Sequence, residues 1–130
     1  MAYLNDWGVN GIYRIFTGKI SGDEIIQAVL EIEGDQRFDE LDYIINDFRQ
    51  VDDYIISERD ITTIVKIDNN AVKMNPQIRV AIVVTLDSLQ EWAKLYCQKM
   101  HNSPYECKVF SHMEEAEEWA VLSNNQTGRI

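Results

Sequence analysis

Tyr43-Ile44-Ile45-Asn46-Asp47-Phe48 is the stretch whose reading decides the fold. It is short, rich in β-branched and aromatic residues, and bounded by polar sequence, so it reads as a buried central strand. Asp52-Asp53 after it reads as an acidic turn, and Ser57 as the opening of a helix. A working surface is expected at the carboxyl end of this strand, where open α/β sheets bind their ligands.

Upstream of this strand, Tyr3–Trp7 and Ile12–Thr17 are β-prone runs separated by Gly8-Val9-Asn10-Gly11. Asn-Gly between such runs predicts a hairpin, because both residues tolerate positive φ. Gly18 is expected to end the second strand. Ser21 then caps a helix, with Asp23 and Glu24 suited to the positive end of its dipole. Ile25, Ile26, Val29, Leu30 and Glu33 follow helical spacing, all apolar but Glu33, and Gly34 is a natural stop. Phe38 and Leu41 are expected to tuck the next loop onto the core.

Downstream, a helix is predicted from Ser57 to about Lys73, with Ile61, Ile64, Val65, Ala71 and Val72 inward. Asp68 falls close to that stripe. A buried carboxylate without a partner is costly, so Asp68 needs a partner or an edge position. Asn75-Pro76 closes the helix. Ile78–Val84 carries Arg79 as its one charge and reads as a strand buried on both faces, hence parallel. A third helix is expected over Leu86–His101, with Leu89, Trp92, Ala93, Tyr96 and Met100 inward, and a last strand over Glu106–Phe110. A fourth helix covers His112–Leu122, with Met113, Ala116, Trp119 and Ala120 on one face and Glu114, Glu115, Glu117 and Glu118 on a solvated one. The predicted fold is α/β: an N-terminal β-hairpin followed by β-α units, a mixed sheet and four helices. Residues 1–122 form one domain, and 123–130 a patternless tail.

With 130 residues, 45% of them hydrophobic, the chain can build a core without staples. Twenty-two acidic against 12 basic residues leave a formal charge of -10, which disfavours nucleic acid and anionic membranes. The N-terminus has no signal-peptide pattern and no apolar run spans a bilayer, so no membrane insertion is expected. Cys97 and Cys107 are too few for a disulfide scaffold, and a cytoplasmic protein with reduced cysteines is expected.

Several landmarks together resemble the STAS-like family, also called SpoIIAA-like or STAS/SEC14, shared by sulfate transporters and anti-sigma-factor antagonists. They are Gly34-Asp35-Gln36-Arg37-Phe38, the central strand, Ser57-Glu58-Arg59-Asp60-Ile61, Ile78-Arg79-Val80-Ala81-Ile82-Val83, and Val109-Phe110 followed by Glu115-Ala116-Glu117-Glu118-Trp119. The similarity runs to about Leu122 and points to a bacterial subgroup, implying a fold and no reaction. In the signalling branch an Asp-Ser motif opens the helix after the central strand, and phosphorylation of that serine releases a partner. Ser57 stands at about that place, but Ile55-Ile56 replaces the preceding acidic residue. The resemblance also implies an alternative role, a SEC14-like carrier of a small lipophilic ligand, which needs a cavity on the order of 300 Å³ or more. Tyr54, Ile55, Ile56, Trp92 and Tyr96 would line it.

No chemistry is singled out. Ser57 with Asp60 fits a helix cap. Asp47, Asp52, Asp53, Glu58 and Asp60 read as a solvated acidic edge, without the paired acids and lysine of a Mg²⁺-binding receiver domain. Cys107 and His112 lie roughly 16 Å apart if extended, so they cannot both bind one zinc ion; three ligands remain, but Cys97 as a small core residue and His101 at a helix C-terminus need no metal. The expectation is a non-enzymatic regulatory module without cofactor or metal. It would bind a protein partner, or a second copy as a homodimer, through Asp47, Asp52, Asp53, Tyr54 and the candidate phosphosite Ser57.

Overall fold

The computed structural model describes residues 3–122; the expected tail, 123–130, lies outside them. Five strands form one sheet in the order β1-β2-β3-β4-β5: β1 (Tyr3–Trp7), β2 (Gly11–Ser21), β3 (Tyr43–Ile55), β4 (Arg79–Val83) and β5 (Glu106–Phe110). β1 pairs antiparallel with β2, and the remaining pairs are parallel. The mixed sheet, its hairpin and the central position of β3 are as predicted. α1 (Gly22–Glu33), α2 (Glu58–Ala71) and α3 (Asp87–Lys99) pack with Ile12, Phe16, Ile44, Phe48, Val80 and Ile82 in the large core. α4 (Met113–Glu117) continues into a π-helical turn over Glu118–Leu122, and Ala116 and Ala120 close a small core with Ile45, Ala81 and Val83.

Helix starts follow the caps in the sequence. Ser21 with Glu24, and Ser57 with Asp60, each form a reciprocal capping box. Phe38 and Leu41 are buried as expected, and the Asn75 amide beyond α2 donates to both their carbonyls, at 2.8 and 2.9 Å. That side chain ties the short 3-10 turn Gln36–Glu40 to the end of α2.

The turn chemistry differs from expectation at two places. No residue of the hairpin loop has positive φ; among the described residues only Gly18 does, at +71°. Gly11 is needed for space instead, since a Cβ there would lie 2.1 Å from the Tyr43 ring. Gly18 does not end β2. The strand runs on to Ser21, and register shifts lie after Ile15 and after Gly18. The extra residues are on β3, so these are bulges. They shift its alternation, and Ile44, Phe48, Val51 and Tyr54 all meet the large core. Asp52 and Asp53 are therefore exposed strand residues and not a turn.

The cysteines expected to be reduced are joined. Cys97 and Cys107 form a disulfide between α3 and β5, with Cα atoms 5.4 Å apart. Counting cysteines against a scaffold could not reveal that the fold brings the last turn of α3 beside an edge strand. Leu30, one of the apolar residues at helical spacing, is exposed, while Ala28, Val29 and Ile32 are buried. Glu117, expected in solvent, is half-buried and accepts a hydrogen bond from the Tyr13 hydroxyl.

Candidate functional site

The residues expected to form one surface fall on two faces of the sheet. Asp47 is 3% exposed and shares its side of β3 with Ile45, facing α4. It clamps Arg49: Oδ1 accepts from the Arg49 amide and Nε, both at 3.0 Å, and Oδ2 from Nη2 at 2.9 Å. That hydrogen bonding raises the Arg49 pKa. The structure does not bring Asp47 to Ser57, because β-strand side chains alternate.

Tyr54, Asp52, Asp53 and Ser57 do gather at the far end of β3. β4 pairs only with Tyr43–Asp47, so β2 and β3 continue beyond it as a two-stranded ribbon. Asp52 and Asp53 face solvent there, with Asp53 4.0 Å from Lys19 in an exposed ion pair. The Tyr54 hydroxyl bonds Ser88 Oγ at the start of α3. Ser57 is exposed, and its Oγ accepts the Asp60 amide at 3.2 Å while Asp60 Oδ2 accepts the Ser57 amide at 2.9 Å. A Cβ on Gly22 would lie 2.1 Å from that Asp60 carboxylate, so the starts of α1 and α2 touch. Ile55, at the ribbon's tip, is 65% exposed.

A second constellation lies inside the large core, and the chain order hides it. Arg14 stands on β2 between Ile12 and Phe16, opposite Asn46 on β3, and its Nε donates to Asn46 Oδ1 at 2.8 Å. Glu33 near the end of α1, Asp68 on α2, Tyr96 on α3 and Tyr105 before β5 converge above it. Tyr96 donates its hydroxyl to Asp68 Oδ2. This is the partner that the position of Asp68 demanded. Burial, and then hydrogen bonding to Asp68, pushes the Glu33 carboxyl up to about 9. Burial likewise raises Asp68, against the pull of Tyr96, Glu33 and Arg14. The two carboxyl groups therefore retain a proton at neutral pH. Among the sequence signals, the polarity of Glu33 and Asp68 on apolar stripes points here; Arg14, a single charge in a hairpin strand, carries no such local mark.

These groups line a cavity of about 80 Å³. That is well below the roughly 300 Å³ that a SEC14-like carrier of a lipophile needs. Phe16 and Phe48 stack at 4.5 Å and fill the middle of the core, and Tyr96 is committed to Asp68. A separate open depression of about 820 Å³ runs along β5 and the end of α3, past the disulfide, with Lys94, His101 and Lys108 on its walls. Among the described residues no group of histidine, cysteine and carboxylates is placed to hold a metal, and no helix is long and apolar enough to cross a membrane.

No family model matches the chain, and no curated protein matches it. Solved structures do. One is an uncharacterized protein of the DUF3478 family with a SpoIIAA-like fold from Shewanella loihica PV-4, 19% identical over 92% of both chains, with a TM-score of 0.55. Another is the anti-sigma factor antagonist SpoIIAA in its unphosphorylated form, 9% identical over 97% of both chains, with a TM-score of 0.60. Five strands in this order, three helices on one face and the last helix on the other give this chain the SpoIIAA-like fold.

Proposed function

We propose that this chain is a non-enzymatic, cytoplasmic interaction module of the anti-sigma-factor-antagonist kind. It engages a partner protein through the tip of the β2–β3 ribbon and the first turn of α2. The observation that carries the reading is the projection of that ribbon past β4, with Ile55 exposed between acidic residues and a helix start. An exposed apolar anchor ringed by charge is the arrangement from which protein contacts draw their energy. Strand Gln50–Ile55 also lacks a strand partner on its β4 side among the described residues, which leaves backbone groups for a partner to bond. The likeness to an anti-sigma factor antagonist supports a protein as the partner.

Ser57 is the phosphosite within this reading. A phosphate there meets the free amides and positive dipole of α2, but also Asp53, Glu58 and Asp60, and it displaces the capping hydroxyl. The added charge then repels an acidic partner patch. The test is capture from native cells with wild type, Ile55→Asp, Ser57→Ala and Ser57→Asp, with stability measured alongside. The expected result is one set of partners lost with Ile55→Asp and weakened with Ser57→Asp. Equal capture by all four removes the surface, and no capture by a monomeric wild type removes the module. Self-association through the same tip would appear as a dimer that Ile55→Asp dissociates.

A further inference from the structure

Arg14 is the group the interaction reading leaves unused. Its side chain is buried, 4% exposed, and its Nη1 is enclosed with no hydrogen-bond partner among the described residues. Its hydrogen bond is the one from Nε to Asn46. None of the ion pairs within 4.0 Å among the described residues includes it. A guanidinium carries five N–H donors, and burying it with most of them idle is costly. The Tyr105 hydroxyl, equally enclosed, also has no partner. Both side chains line the 80 Å³ cavity, whose other walls include Phe16, Val29, Ile44, Phe48 and Trp92.

We propose that this cavity is a binding site for a short-chain monocarboxylic acid, with its carboxylate on Arg14 and its alkyl group against the apolar walls. Charge selects the class. A phosphate would bring more negative charge beside Asp68 than one guanidinium balances, and an apolar body matches walls that phosphate does not. A single carboxylate is tolerated because Glu33, pushed up to about 9 by burial and by Asp68, is uncharged at neutral pH. Size selects the length. A cavity of about 150 Å³ takes benzene, so this one takes roughly three to five heavy atoms, with small side-chain adjustments for one more. That is an acid of the propionate or butyrate class.

The test is titration of the full chain with sodium butyrate, followed by backbone and arginine-Nε NMR. Butanol, inorganic phosphate and octanoate serve as controls, at matched ionic strength. Saturable shifts are expected around Arg14, Asn46 and Trp92 with butyrate and not with the controls. Arg14→Met should weaken butyrate by about 10- to 100-fold, the loss of a hydrogen-bonded charge contact. Ala93→Leu also keeps Arg14 but fills the cavity from α3, and should abolish binding; it decides the matter if Arg14→Met does not fold. The proposal is overturned if butyrate produces no saturable shifts at tens of millimolar, if phosphate or butanol binds as well, or if folded Ala93→Leu binds butyrate as wild type does.

Discussion

Two groups of carboxylates behave in opposite ways. Asp52, Asp53, Glu58 and Asp60 are neighbours in sequence, yet each settles its charge locally: in solvent, against Lys19 or Lys99, or on a helix cap. Glu33 and Asp68 belong to different helices, yet they share a proton in the core beside Arg14 and Tyr96. Water screens the first group so well that its members barely feel one another. In the second group low-dielectric surroundings amplify every contact and every missing one. Density of charge along a chain is therefore a poor guide to where charge matters.

The contrast is sharpest under removal of Asp68. Asp68→Ala leaves the Tyr96 hydroxyl without its acceptor in the core, and should cost about 1–3 kcal/mol in urea unfolding. Loss within about 0.5 kcal/mol would erase the distinction between the groups. Next is Glu33→Gln. The folded-state pKa of Glu33 lies above its ordinary value, so the folded chain holds a proton that the unfolded chain releases between about pH 4.5 and 9. Wild-type stability should accordingly fall as pH rises through that window. Glu33→Gln should be the more stable form at pH 8, with the gap closing toward pH 5. Parallel stability curves for the two proteins would mean that Glu33 ionises freely.

Smaller effects belong to the exposed group. Ser57→Ala removes one half of the α2 capping box and should cost about 1 kcal/mol. Smallest is Asp53→Asn, which loosens an exposed 4.0 Å pair with Lys19 and should shift stability by less than about 0.5 kcal/mol. A larger loss there would show that the ribbon depends on that pair.

Much of the architecture was legible in local pattern. The apolar run Ile78–Val84 read as a doubly covered parallel strand and is one, because a strand covered by helices on both sides has no solvent face to mark with polar residues. Ser21 and Ser57 read as caps and are caps, because a capping box is a matter of four consecutive residues. The strand ends were not legible. Gly18 and Asp52-Asp53 have the chemistry of turns, but β2 and β3 extend each other by pairing, and bulges absorb the residues that local propensity would have turned. Of the candidate surface, Tyr54, Asp52, Asp53 and Ser57 do lie together, while Asp47 faces away because strand alternation separates neighbours that a linear reading groups.

By itself the sequence determined the element types, their order, the helix starts and the need of Asp68 for a partner, all of which rest on interactions between residues close in the chain. Only the tertiary structure decided which partner that would be. It brought Arg14, Glu33, Asp68, Tyr96 and Tyr105 around one cavity, and Cys97 to Cys107, by stacking three crossover helices on one face of the mixed sheet. Those meetings depend on helix placement and strand register, which no short window of sequence contains.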